Sequence, residues 1–383
     1  MNRLHLQIAY GRALRGSLGH SAPETVAAWT RARQFAADIN DPVELAPIHS
    51  GLFNASLTHG EIAPMRELAD AIMSTADRRP DSPVAAIVAN YANGVTCWFG
   101  GDYLNARVHL EQALAIYDAE PNPATFKAST LDLPSVIQRF LALVLWPLGK
   151  IDRSRQLAEE AASASGEKRA LAQVNALVHR AVFDGLRGGM LQGTETILAL
   201  ARDHAMPLYM AAGTHLMGLA KWRAGDRTGG LAEMRQGWAL LHENDCYLCE
   251  PFWGMQVAVA NAEAGQLDTG LEILGELIGW AEKTGQHWLD AELHRVRGEF
   301  LLCRDPSNVS AAEDAFNRAL GIARSQQTKT FELRSALGLA RLYIRDDRAA
   351  AVSEVLAPVF VDFAAGRDLP EIEEAQKLLK HRQ

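Results

Sequence analysis

The stretch HENDCYLCE, residues 242–250, is the sharpest metal-ligand candidate in the chain, because His242, Cys246 and Cys249 stand in H-x3-C-x2-C spacing. Two thiolates three residues apart on a turn can share a zinc ion, but a structural zinc site takes four ligands. A fourth would have to come from His204, His215 or His287, and cysteines that pack as small apolar side chains account for the stretch without a metal. A second dense stretch is GQHWLDAELHRVRGEFLL, residues 285–302. At 100° per residue, Trp288, Glu292, Arg295 and Glu299 form one stripe of a helix. Leu289, Leu293, Val296 and Phe300 form a packing stripe beside it, and Ala291 with Gly298 form a small-residue stripe. The charged stripe reads either as helical ion pairs or as the lining of a binding surface.

Catalysis finds little support. No His-Glu-x-x-His or G-x-S-x-G string occurs, and the string nearest to a phosphate-binding loop, GRALRGSL at 11–18, lacks the lysine. The expectation is a protein that is not an enzyme and holds no metal or cofactor. Glu159, Glu160, Glu371, Glu373 and Glu374 read as solvated helix faces with arginines or lysines close by.

Composition sets the elements that must position these residues. The 383 residues are 48% hydrophobic and 22% charged, rich in alanine and leucine, and carry a formal charge of −8, which opposes binding of nucleic acid. The longest apolar run, FLALVLWPLG at 140–149, is too short to span a membrane, which needs roughly 20 residues. The opening MNRLHLQIAYGRALRG lacks a signal-peptide core, and four cysteines make no disulfide framework. A cytoplasmic location and no membrane partner are expected.

Glycines and polar residues mark turns at Leu18-Gly19, His59-Gly60-Glu61, Gly100-Gly101-Asp102, Gly149-Lys150, Gly188-Gly189, Gly225-Asp226, Gly265-Gln266, Arg304-Asp305 and Arg345-Asp346. Their spacing of about 40 residues is the period of a stacked helical-hairpin array. A small residue precedes most turns by the same interval: Gly94, Ala142, Ala181, Gly218, Ala258, Gly298 and Gly338. Pro23, Pro42, Pro83, Pro134, Pro207, Pro251 and Pro370 fall at expected helix starts, and Pro147 does not. The fold expected is all-α: a right-handed superhelix (α-solenoid) of about eight to nine hairpins in one unit spanning 1–383. An irregular connection is expected at 117–134 and a C-terminal capping helix at 367–383.

The segment NGVTCWFGGDYLNARVHLEQALAIYD resembles a tetratricopeptide repeat, with Gly94 at the eighth position, a Gly101-Asp102-Tyr103 turn, and Ala106 and Ala113 on the second helix. Several longer stretches resemble the C-terminal repeat region of bacterial regulators in which a class III nucleotide cyclase and a STAND-type signalling ATPase precede such repeats. They are LHLQIAYGRALRGSLGHSAPE, ARVHLEQALAIYD, MRQGWALL, GQHWLDAELHRVRGEFLL, AEDAFNRALGIARSQQTKTFELRSALGLARLY and LAPVFVDFAAGRDLPEIEEAQKLL. Neither upstream enzyme is present in these residues, so the resemblance implies the regulatory half of such a system.

In tetratricopeptide proteins the second, fifth, ninth and twelfth positions of the first helix line a concave groove. That count selects Tyr91, Trp98, Arg139, Trp146, His215, Trp222, Phe252, Met255, Glu292, Arg295 and Glu299 as groove residues, with Trp288 beside them. Tryptophan recurs at the twelfth position as Trp98, Trp146 and Trp222, which suggests either an aromatic groove or large side chains filling space between long helices. The function expected is recognition of a protein partner or peptide segment, through which a cyclase or ATPase domain is controlled in trans. The alternatives are a small-molecule sensor, with a closed pocket among Trp222, Phe252, Met255 and Trp288, and, less favoured, an unmarked enzyme.

Overall fold

The computed structural model describes residues 3–19, 22–39, 42–121, 132–163, 170–307, 309–363 and 369–380. Every regular element among them is helical. In chain order they are α1 (Arg3–Leu18), α2 (Pro23–Phe35), α3 (Pro42–His59), α4 (Ile62–Asp77), α5 (Pro83–Phe99), α6 (Tyr103–Ala119), α7 (Leu133–Leu145), α8 (Ile151–Ser163), α9 (Ala170–Leu186) and α10 (Thr194–Asp203). There follow α11 (Pro207–Arg223), α12 (Arg227–Glu243), α13 (Glu250–Glu263), α14 (Leu267–Thr284), α15 (Asp290–Arg304), α16 (Val309–Ser325), α17 (Lys329–Arg345), α18 (Ala349–Phe360) and α19 (Pro370–Lys380). Successive pairs make nine hairpins, and α19 packs on α17 and α18 as the cap. The irregular connection expected at 117–134 lies mostly outside the described residues, as do both ends of the expected capping segment.

The local chemistry explains the boundaries. Proline opens α2, α3, α5, α11 and α19, where its fixed φ suits a helix and no N–H is missed. Side chains of Ser82, Asp102 and Asp226 accept from the backbone N–H three residues on, capping α5, α6 and α12. Every glycine-marked turn closes a hairpin. At Gly101, φ is +81°, its N–H reaches the Trp98 carbonyl at 2.9 Å, and the next N–H reaches the Cys97 carbonyl at 2.8 Å. That pairing caps the C-terminal carbonyls of α5 and needs a left-handed residue there.

Within hairpins the small residues bring backbones together. A Cβ added at Gly218 would stand 2.5 Å from the Met234 backbone nitrogen, and one at Gly237 would meet the His215 nitrogen. Because backbone cannot swing aside, a Gly218→Ala chain should lose about 1–3 kcal/mol, read as a lower denaturation midpoint, whereas Gly275→Ala, in open space on α14, should not. Equal midpoints for the two would show that the α11–α12 contact is not close.

The helices form two layers. From α5 onward each odd-numbered helix also touches the next odd-numbered one, giving a continuous inner layer, while even-numbered helices stack behind it. The core is continuous from Phe53 to Ala375, and a smaller cluster of Leu4, Ile8, Trp29, Ala32, Ala36 and Ile48 holds α1–α3 together.

The coil closes on itself. The Tyr247 N–H reaches the Thr58 carbonyl at 2.8 Å, Trp288 N–H the Phe99 carbonyl at 3.2 Å, and Thr330 N–H the Pro147 carbonyl at 3.0 Å. Each bond joins a hairpin turn to the connection between two later hairpins, and each step moves both partners forward by one repeat. The Tyr103 hydroxyl adds a bond of 2.5 Å to the Trp288 carbonyl, 185 residues away. Pro147, which does not fall at a helix start, sits at such a contact. One superhelical turn therefore lies directly on the next.

Candidate recognition site on the inner helix layer

This closure decides where the twelfth-position tryptophans go. They stand at the ends of odd-numbered helices, just before the hairpin turns, which is where the second superhelical turn arrives. Trp98 meets Trp288 with ring centroids 4.7 Å apart, and Trp146 meets Phe331 at 5.8 Å. Trp98 is wholly inaccessible. Trp222 has no later turn above it; its indole N–H donates to Glu263 at 3.2 Å and Arg227 lies over its ring. The expectation of an open aromatic groove is therefore corrected in favour of space-filling: Trp98 and Trp146 are buried between superhelical turns, and Trp222 is buried beside Arg227 and Glu263.

Of the two readings of the charged stripe of α15, ion pairing is the one the structure shows. The helix begins at Asp290, so Trp288 belongs to the preceding connection and not to the stripe. Glu292 is 1% exposed and takes both Arg295, at 2.9 Å, and Arg334, at 3.0 Å. Arg334 continues to Glu371 on the cap at 2.7 Å and to the Leu186 carbonyl at 3.2 Å, with its guanidinium over the Trp146 ring. Arg295 also holds Glu299 at 2.7 Å, and Arg341 holds Glu374. Burial alone would raise the Glu292 carboxyl and lower Arg295, but their mutual attraction wins, holding Glu292 below its ordinary range and Arg295 above its own. Glu371 and Glu374, expected as solvated faces, are the cap's anchors in this ladder.

His215, Phe252 and Met255 are also buried and do not line an accessible groove. His215 bonds the Met234 carbonyl of its own hairpin at 3.0 Å and packs edge-on to Trp253. Phe252 reaches from α13 to Gly185 of α9. Trp222, Phe252, Met255 and Trp288 fill core space rather than enclosing one pocket.

In HENDCYLCE the imidazole of His242 goes to the buried Glu250 carboxylate at 2.9 Å, which also accepts from the Trp238 indole. Burial pushes the Cys246 thiol up to about 12, and Cys249 is raised likewise, so both are protonated thiols packed in the core. Among the described residues no group of three His, Cys, Asp or Glu side chains is placed to hold an ion. The Glu250 hydrogen bond raises the His242 pKa above 6.5. Its stabilising effect is full below that ordinary value and is lost as pH rises through the elevated one. Melting temperature should therefore fall as pH rises above the ordinary histidine range, and His242→Gln should flatten that part of the profile. An unchanged profile in the variant would remove the pair from the account.

What remains of the expected groove is centred on Arg139 and Tyr91. Arg139, on α7, is 7% exposed, yet no carboxylate lies within ion-pair reach among the described residues, and its Nε has no hydrogen-bond partner. Burial lowers its pKa, opposed by Tyr209, Tyr91 and the more distant Asp132. Taking an unpaired guanidinium out of water costs several kcal/mol per ion, an arrangement that folding by itself does not favour. Asn175 and His179 of α9 and Tyr209 of α11 complete the surroundings. Each keeps part of its surface open to solvent although protein encloses it. Burial and the Arg139 charge push His179 down to about 3, so it is neutral at ordinary pH. Asn175 donates to the Tyr209 hydroxyl at 2.7 Å, while its own Oδ1 has no partner. Burial lifts Tyr91 to about 12. Phe140 joins the set, 5.9 Å from the Tyr91 ring and 5.2 Å from His179. On its other side Tyr91 walls a cavity of about 360 Å³ shared with Arg12, Arg15, Trp29 and Arg79.

The repeat count found Tyr91 and Arg139. Asn175 was within its reach, as the second position of the helix carrying Ala181, but His179 and Tyr209 fall outside the groove positions.

Paired helices, a two-layer wall and repeat-length hairpins define a tetratricopeptide-like helical solenoid. Among solved structures, the chain is similar to a Rap protein complexed with Competence and Sporulation Factor, with TM-score 0.63, 11% identity and 99% of each chain covered. It is also similar to the human IFIT1 dimer with m7Gppp-AAAA, at TM-score 0.53 and 14% identity over 97% of this chain and 79% of that one. No family model matches the sequence. An uncharacterized protein of Rhizobium meliloti (strain 1021) is 30% identical over 126 residues, which is 32% of this chain but only 12% of that protein's length. Among the described residues no helix is long and apolar enough to cross a membrane.

Proposed function

We propose that the chain is a non-enzymatic recognition and regulatory module, which binds a segment of a partner protein against the inner helix layer between α5 and α11. The observation that carries this reading is the set of inner-layer groups left with unmet bonding capacity, Arg139 and Asn175 above all, in a protein that pairs its other buried charges closely. Support comes from the fold of the Rap protein, which was solved with a bound factor. The human IFIT1 dimer was solved with m7Gppp-AAAA, but a net charge of −8 disfavours a polyanion here. The resemblance to regulator repeats makes a nucleotide cyclase or STAND-type ATPase domain, supplied in trans, the proposed source of the segment. A second reading, a sensor of a small molecule, is favoured by how enclosed Arg139 is.

The test is selection of displayed peptides on the intact chain. Asn175→Ala and Tyr209→Phe should each weaken the selected peptides by up to about tenfold, the worth of one net hydrogen bond, while Leu104→Ser on outer helix α6 should not. Peptides indifferent to both inner-layer changes would contradict the reading.

A further inference from the structure

We infer that Arg139 is the anchor for a single carboxylate on the ligand of the inner layer. The inference rests on the reading that the inner layer is the recognition site, and it names the group that is recognised there.

Three features of the site converge on this chemistry. The guanidinium is buried with no carboxylate within ion-pair reach among the described residues, and only its Nε is sealed off, so its terminal nitrogens remain accessible for the two parallel bonds a carboxylate accepts. The Tyr209 hydroxyl already accepts from Asn175, so its own proton is free to donate toward the same anion. The charge count then selects among anions. His179 is neutral and Tyr91 and Tyr209 stay protonated, which leaves one positive charge. A monoanion neutralises it, whereas a phosphate dianion would leave one negative charge buried without a partner.

The probes are N-acetylphenylalanine, its neutral amide, phenyl phosphate, and a tripeptide with either a free or an amidated C-terminus. Thermal shift and titration calorimetry would be run on the intact chain. N-acetylphenylalanine should raise the melting temperature and its amide should not, with phenyl phosphate giving a smaller rise. A larger rise with the free tripeptide than with the acetylated amino acid would identify a chain end as the source. The reverse order would identify a small acid, and either order supports the anchor. The Arg139→Met chain should melt higher than wild type without ligand, because it removes an unpaired buried charge, and should not respond to the acids. Arg139→Lys, which keeps the charge but not the fork, should respond about tenfold more weakly, so the inference is tested even where methionine does not fold. Equal shifts from acid and amide, no shift from any acid, or an acid response surviving in Arg139→Met would overturn it. Selected peptides that still depended on Asn175 and Tyr209 would in that case leave the recognition reading standing.

Discussion

An Arg295→Glu chain should be strongly destabilised, by about 3–5 kcal/mol, because the change leaves Glu292, 2% exposed at its side chain, facing a new carboxylate instead of its partner. The same change would set a carboxylate against Glu299 as well, leaving it only Arg341 at 3.6 Å, since Arg295 bridges both glutamates. Arg334 would then be the one close cation left to Glu292, and it is already shared with Glu371 of the cap. Loss of α19 docking should therefore accompany the loss of stability, visible as faster amide exchange across Pro370–Lys380. Read from sequence alone, this stripe would have made Arg295 a groove residue whose reversal weakens binding in a folded chain. The structure replaces that expectation, and urea denaturation decides: an unchanged midpoint would restore the groove.

Trp288→Ala is the second large effect. The indole is 1% exposed and packs on Trp98, and its backbone bonds Phe99 and Tyr103. Deleting a fully buried aromatic of this kind costs about 3–5 kcal/mol. The loss should be cooperative across the coil, because Trp288 joins the third hairpin to the connection before the eighth. In a simple stack of repeats, damage would spread only to neighbouring units. Here the region around Phe99–Tyr103 should lose exchange protection together with α15, although 185 residues separate Tyr103 from Trp288. Protection lost around α15 alone would show that the two superhelical turns are independent.

These two cases mark where sequence reasoning stops. Hairpin number, turn positions, helix starts and the close approaches at Gly94, Gly218, Gly298 and Gly338 were legible, because each follows from glycine, proline or small-residue chemistry within one repeat. The closing of one turn on the next was not. It depends on the small angle between successive hairpins summed over several units, which no local pattern encodes. Trp98, Trp146 and Trp288 were singled out correctly as unusual, yet their role as mortar needed that angle. Arg139 is the converse case. Its repeat position was legible, while the absence of a partner, which gives it meaning, appears only when α7, α9 and α11 are placed side by side.

The most direct test of recognition at the inner layer is hydrogen-exchange mass spectrometry of the intact chain with and without a peptide obtained by selection. The account predicts added protection on α5, α7, α9 and the start of α11, around Tyr91, Arg139, Asn175 and Tyr209, and none on outer helices α6 and α12. Protection confined to those outer helices, with the inner layer unchanged, would contradict it.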